Sequence, residues 1–398
     1  MLHGIETTVG WSTRPESSLA GSEAAERARE KLSSRTGHQL AFAFASSWYE
    51  QDSLLRGVRG ILDRAMVFGG STAGEITPDG PISHGCVVLV LSAEEIHWGL
   101  GFGQDMDSEP RRAGQQAAYL ASRAFPSSQR SAFLMFGDGL MTSYSAVATG
   151  VQEVLGTNAF IVGALAGDDL RFSETTQYCN EHAATNAVAG MLIGGPLRLG
   201  VGIDHGFAPI SKPRQITRAY DNVLVEIDRK PAAVVYEEYF GPALVSRIRA
   251  DRLTRPGMAY PLGIQEAGSS QWLLRNVVAF QQDGSLWCNG EVKEGSWMQL
   301  MLCNRGLVLE SVRRAAERAV SSLDHVACVL VFSSYVRQRV LGATFAGAEL
   351  ATIRQTIGPA VPVAGCYTYG ELAPTATPPD PGMPAVHTGS VLVIGVGV

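Results

Sequence analysis

Charged side chains are scarce in this 398-residue chain, at 18%, and no run of one sign gathers at either end. The net charge is only -6. Phosphate backbones are held by clustered lysine and arginine, so no nucleic-acid partner is expected. Arg111-Arg112 and the group Arg313, Arg314 and Arg318 read as solvated helix faces. Six cysteines are present and none forms a Cys-x-x-Cys pair, which leaves no framework for a structural zinc. Cys86 and Cys328 lie at or in apolar strands, where a reduced thiol acts as a small hydrophobe. Without a Cys-x-x-Cys-His run, covalent haem attachment is excluded. No apolar run reaches the length of a membrane span, and no signal peptide opens the chain. A cytoplasmic, reduced protein without a membrane partner is expected. Catalytic signatures are also missing. Gly-x-Ser-x-Gly, His-Glu-x-x-His and an EF-hand loop do not occur, and Gly70 to Gly74 lacks the spacing of a phosphate cradle.

What the chain does have is a pattern used three times. An apolar run ends in small residues: Leu40 to Ser47, Ala132 to Gly139 and Ala327 to Ser334. Such runs fit strands buried on both faces. A helical period follows, then a second strand at 65–68, 159–162 and 361–364. Each second strand runs into a glycine-rich turn with a carboxylate: Gly70 to Glu75, Gly163 to Asp168, and Gly365-Cys366 to Glu371. A further apolar run closes each copy, at 87–91, 187–193 and 391–397. Strand–helix–strand order at this spacing is a βαβ crossover. Its turn falls at the carboxyl end of a strand, where open α/β sheets hold ligands. The fold class expected is therefore α/β, with layered sheets built from repeated βαβ units in two domains.

Between the second and third copies the pattern changes. Ile216 to Ile227 reads as a hairpin turning at Asp221-Asn222, and Pro231 opens a helix with Val234, Val235 and Tyr239 facing inward. Trp272 to Phe280 and Met298 to Leu302 read as strands of an antiparallel section in the C-terminal half. The domain boundary is placed near residue 225, giving domains of 30–225 and 226–398. Pro374 to Pro384 reads as a stiff loop.

Val67 to Ile76, Val162 to Asp169, His205-Gly206-Phe207 and Pro231-Ala232 with Tyr236 together resemble the FIST N-terminal domain. Gly365 to Leu372, Tyr260 to Ile264 and Phe332 to Arg337 are similar to the FIST C-terminal domain. The resemblance implies a bacterial sensory module for a small ligand, working with a kinase or a cyclic-di-nucleotide enzyme. Some relatives bind haem and respond to nitric oxide. The chain departs from the family at Phe207, where many relatives have tryptophan, and at Ser334-Tyr335-Val336, ahead of a retained Arg337. No kinase or cyclase segment is seen, so output is expected through a separate signalling protein.

The candidate residues follow from both lines. Glu75, Asp168 and Glu371 are expected either to bind a cationic group or to accept N–H bonds within their own turns. Ser71 and Thr72 stand beside the first of them. Tyr367 and Tyr369 replace small residues found in the other copies, and with Thr368, Glu371 and Arg337 they form the expected ligand cluster. His205 is the candidate ligand for a b-type haem. The function expected is non-catalytic sensing of an amino acid or similar metabolite. The alternatives are a haem-based nitric-oxide sensor and a small-molecule hydrolase or transferase using Glu371 or Asp168 as base.

Overall fold

The computed structural model describes residues 5–33, 37–127, 129–250, 260–266, 271–374 and 383–398. The expected Pro374 to Pro384 loop lies largely outside them.

The first repeat comprises β1 (Ile5–Ser12), α1 (Ser17–Arg29), β2 (His38–Ser46), α2 (Gln51–Ile61), β3 (Ala65–Thr72), β4 (Glu75–Thr77), β5 (Gly80–Ile82) and β6 (Cys86–Ala93). The second comprises β7 (His97–Gln104), α3 (Pro110–Ala124), β8 (Arg130–Gly137), α4 (Tyr144–Leu155), β9 (Ile161–Leu165), β10 (Gln177–Cys179), β11 (His182–Ala184) and β12 (Ala187–Gly194). The third opens with β13 (Arg198–Asp204) and resumes after an insertion with α6 (Arg305–Val320), β23 (Val326–Ser334), α7 (Tyr335–Leu341), α8 (Ala348–Ile357), β24 (Val363–Thr368), β25 (Gly370–Pro374), β26 (Pro384–His387) and β27 (Val391–Gly397).

Each repeat builds four strands of a mixed sheet, in the orders β1-β6-β2-β3, β7-β12-β8-β9 and β13-β27-β23-β24. The last pair in each order, β2–β3, β8–β9 and β23–β24, is parallel, as a helical crossover requires, and the other pairings are antiparallel. No repeat completes its own sheet. The hairpin β4–β5 joins β24 of the third repeat, β10–β11 joins β3 of the first, and β25–β26 joins β9 of the second. This cyclic exchange of hairpins ties the three repeats into one body with approximate threefold symmetry.

The inner faces of the three sheets share one core. Phe44, Phe136 and Phe332 hold the same place in β2, β8 and β23, and their ring centroids lie 5.6, 5.5 and 6.3 Å apart. The outer faces are covered by helices packed flush on small residues. A Cβ at Gly10, Gly101 or Gly202 would stand only 2.1, 2.0 or 1.9 Å from a carbonyl of α1, α3 or α6. Glycine on the strand and alanine on the helix let the layers meet at backbone distance.

The insertion between β13 and α6 is the expected antiparallel section. It holds β14 (Phe207–Pro209), β15 (Arg214–Tyr220), β16 (Val223–Ile227), β17 (Lys230–Pro231), α5 (Ala232–Ala250), β18 (Leu262–Gln265), β19 (Leu273–Arg275), β20 (Val277–Phe280), β21 (Leu286–Cys288) and β22 (Trp297–Cys303). All nine strands join one antiparallel sheet. The single strand expected at Trp272 to Phe280 is two, because β19 pairs β18 while β20 pairs β21. In α5 the inward side carries Val235 and Tyr236, whereas Val234 and Tyr239 are exposed. The expected face was rotated by about one residue step of the helix.

Candidate functional site

The carboxyl ends of β3, β9 and β24 converge on one junction. Strand register sets which residues correspond there. The N–H groups of Ser46, Asp138 and Ser334 donate to the carbonyls of Gly85, Ala187 and Ser390 at 2.9, 3.1 and 2.9 Å. Gly69, Gly163 and Gly365 stand opposite Ala43, Met135 and Val331, where a Cβ would lie within 1.9 Å of the neighbouring carbonyl. Glycine recurs in each copy because the neighbouring chain leaves no room for a side chain. The corresponding glycine of the first copy is Gly69, not Gly70.

The same register corrects the correspondence of the three acids. The hairpins cross at Ile76 opposite Gly365, Leu372 opposite Gly163 and Tyr178 opposite Gly69. One residue earlier stand Glu75, Glu371 and Gln177. Asp168 is therefore not the counterpart of Glu75 and Glu371. It belongs to a segment, Asp168 to Thr176, that lies between β9 and its hairpin only in the second repeat.

All three true counterparts are sealed from solvent. Glu75 accepts from Thr72 Oγ1 at 2.6 Å and from the Gly85 N–H at 3.0 Å. Burial raises its carboxyl well above the usual range. Glu371 accepts from Thr368 Oγ1 at 2.6 Å and from the Ser390 hydroxyl. Burial pushes it up to about 8, against the opposing pull of these bonds and of Arg337. Gln177 supplies a neutral amide. Oriented to satisfy both its ends, it donates to Ala184 and Ala187 carbonyls and accepts from Thr175. Burial thus favours the uncharged form of both acids, and Gln177 carries no charge.

Asp168 has a different task. It accepts N–H bonds from Phe172, Ser173 and Glu174 at 2.9, 2.7 and 3.1 Å, and a hydrogen bond from the Tyr369 hydroxyl. The same hydroxyl accepts from the Leu170 N–H at 2.9 Å. Asp169, Leu170 and Phe172 all take left-handed φ values, of 53, 65 and 51°. Three non-glycine residues in that region store strain that the Asp168 and Tyr369 bonds offset. Phe172 stacks on Tyr369 at 4.9 Å, and both meet Tyr335. Ser71 Oγ donates to the Gly167 carbonyl and accepts from the Thr176 N–H, both at 2.8 Å.

The junction thus gathers Ser71, Thr72, Glu75, Asp168, Thr368, Tyr369 and Glu371, whose polar groups are bonded within it, together with the buried Tyr367. Arg337 is equally committed. It is wholly buried, with Nε on Glu349 at 2.8 Å, Nη1 on the His205 carbonyl and Ser311, and Nη2 on the Val308 carbonyl. It clamps the end of β23 to α6 and to the turn after β13. Glu371, neutral and enclosed, and Asp168, saturated with donors, are not poised as surface bases.

His205 does not fit an axial haem ligand. Its Nδ1 accepts the Phe207 N–H at 2.9 Å, so the neutral ring carries its proton on Nε2, the nitrogen a metal would need. Burial, with Arg337 and Arg314 nearby, lowers its pKa to about 4. Among the described residues no three histidine, cysteine, aspartate or glutamate side chains are grouped to hold a metal ion.

An open site lies elsewhere, on the seam between the threefold body and the inserted sheet. A cavity of about 220 Å³ is walled by Thr142 and Ser145 at the start of α4, by Glu266, Arg275, Glu291 and Lys293 of the insertion, and by Pro384 to Val386 of β26. Ser145 Oγ donates to Glu291, and Lys293 pairs with Glu266 at 2.7 Å. Arg275 is 4% exposed. Its Nε donates to the Glu291 carbonyl at 2.8 Å, and its Nη1 to the Leu274 and Val386 carbonyls at 2.8 and 3.1 Å.

Comparison with known proteins decides the family. Residues 39–230 match the FIST N domain and residues 232–374 the FIST C domain. The chain belongs to the FIST family. FIST domains are associated with sensory and signal-transduction roles. Two uncharacterized Mycobacterium tuberculosis proteins, from strains CDC 1551/Oshkosh and ATCC 25618/H37Rv, are each 24% identical over 381 residues, covering 92% of this chain and 94% of theirs. Among solved structures, cyanuric acid hydrolase from A. caulinodans aligns over 99% of both chains with a TM-score of 0.37 and 11% identity. A second cyanuric acid hydrolase structure gives the same TM-score at 10% identity. Likeness at this level carries no functional argument. No helix among the described residues is long and apolar enough to cross a membrane.

The seam residues of this FIST protein were not found by sequence reasoning. One signal was available: Arg275 interrupts the apolar run from Trp272 to Phe280, and a cation within a strand expected to be buried needs a partner.

Proposed function

We propose that this FIST protein is a non-catalytic sensor that takes a small metabolite, an amino acid or a similar compound, into the seam cavity. Its state passes to a separate signalling protein such as a kinase or a cyclic-di-nucleotide enzyme. The observation that carries this reading is the make-up of the cavity walls, which come from both the threefold body and the inserted sheet. A ligand bonded to both walls favours the conformation in which they are correctly apposed, and differential affinity for two conformations is what a sensor requires. The volume lies below the usual range for drug-sized ligands and suits a compound of amino-acid size. The internally satisfied junction fits the role of scaffold.

A thermal-shift screen with amino acids and small metabolites tests the reading. Saturable stabilisation by a compound, lost when the cavity is filled by Ala385→Phe, supports it. Flat melting curves across the set from folded protein count against it.

A further inference from the structure

We infer that the seam cavity recognises the carboxylate of a small monocarboxylic acid, with Arg275 as the anchor. This rests on the proposed ligand site and names what the site reads.

The argument starts from an imbalance. Arg275 is buried, yet no carboxylate lies within ion-pair distance of it among the described residues. Glu291 and Glu266 are near enough to be felt electrostatically but are engaged elsewhere. Three carbonyls take up its Nε and Nη1, and Nη2 makes no hydrogen bond among the described residues. Arg275 lines the cavity, and the two N–H donors of its Nη2 are the part of it left for an occupant. A buried cation held only by neutral acceptors is costly, and a bound carboxylate compensates it.

The rest of the wall narrows the class. Glu266 is paired with Lys293, and Glu291 accepts from Ser145, so an incoming ammonium would have to compete with these contacts. A dianion such as phosphate would share the cavity with both acids. Leu273, Ala385 and Val386 offer an apolar wall for a short or branched hydrocarbon body. The ligand is thus read by its acid group and its apolar body, and an amino group is not required.

The test uses four related probes: leucine, isocaproate, isocaproamide, and isoamylamine, which is leucine without its carboxyl group. Binding to the full chain is followed by calorimetry and by thermal shift. Isocaproate and leucine are expected to bind, each at least about tenfold tighter than isocaproamide, as loss of a charge-assisted bond implies. Isoamylamine is expected not to bind. The folded Ala385→Phe variant should lose isocaproate binding, which places the site without disturbing the carbonyls that Arg275 holds. Equal binding of isocaproamide and isocaproate would overturn the Arg275 assignment while leaving the seam as a ligand site. Isocaproate binding that survives in Ala385→Phe would overturn the location. No binding of any acid probe, while another metabolite binds the seam, would overturn the carboxylate class alone. If no compound binds there, the sensory reading falls as well.

Discussion

Gln177 holds in the second repeat the place that Glu371 holds in the third. Each stands one residue before the hairpin's crossing point, and each bonds a residue at the start of the next strand: Ala187, the first of β12, for Gln177, and Ser390, just ahead of β27, for Glu371. The pairing of a neutral amide with a buried acid shows what the position demands, namely a hydrogen-bonding side chain without charge.

Glu371→Gln is accordingly expected to fold and to lose little stability near neutral pH. The pH dependence follows from the raised carboxyl. The folded state holds this proton more tightly than the unfolded chain. Its contribution to stability is thus fully present below the ordinary carboxylate range and is lost as pH rises through about 8. Urea midpoints of the wild-type protein should fall between about pH 5 and about pH 9. The fall should be smaller in Glu371→Gln. An unchanged slope would show that the acid is not held neutral.

Arg337→Met removes one partner of a buried pair and leaves Glu349 uncompensated. A loss of about 3–5 kcal/mol is expected. The double variant Arg337→Met, Glu349→Gln should recover part of it, as read from a denaturation double-mutant cycle. An additive result would show that the clamp does not act as a pair.

Tyr369→Phe removes the hydroxyl that holds Asp168 and receives the Leu170 N–H. The left-handed segment should open more readily, by about 1–2 kcal/mol. Hydrogen exchange should quicken at Leu170 and Phe172 to Glu174 while the strand cores stay protected. Exchange that quickens throughout the chain would place Tyr369 in global rather than local stability.

Phe332→Ala empties one third of the aromatic contact at the centre. About 3–5 kcal/mol should be lost. Because three sheets share that core, unfolding followed by fluorescence and by circular dichroism should shift together. Separate transitions would mean that the repeats fold as independent units.

Much of the fold was legible because its signals are local. Apolar runs such as Ala327 to Ser334 read as buried strands, and Asp221-Asn222 read as a turn. The hairpin exchange was not legible, because it depends on which strand edge a short segment meets far along the chain. Asp168 shows the same limit. A glycine spacing matched it to Glu75 and Glu371, but correspondence is set by strand register, and the extra segment after β9 moved the hairpin on to Gln177. At the site, sequence pointed to residues of the junction as a ligand cluster, and Arg337 among them is instead committed to Glu349 and to α6. The sequence could not show that the polar groups of the junction satisfy one another. Arg275 stayed hidden because its cavity is assembled from α4, the insertion and β26, which are distant in sequence.

Hydrogen exchange with and without saturating isocaproate tests the central claim most directly. A ligand that bridges the seam should slow exchange on both walls at once, at Leu273 to Arg275 of the inserted sheet and at Tyr144 to Val147 in the first turn of α4. Protection confined to one wall, or absent from both while the compound is bound, would contradict the account.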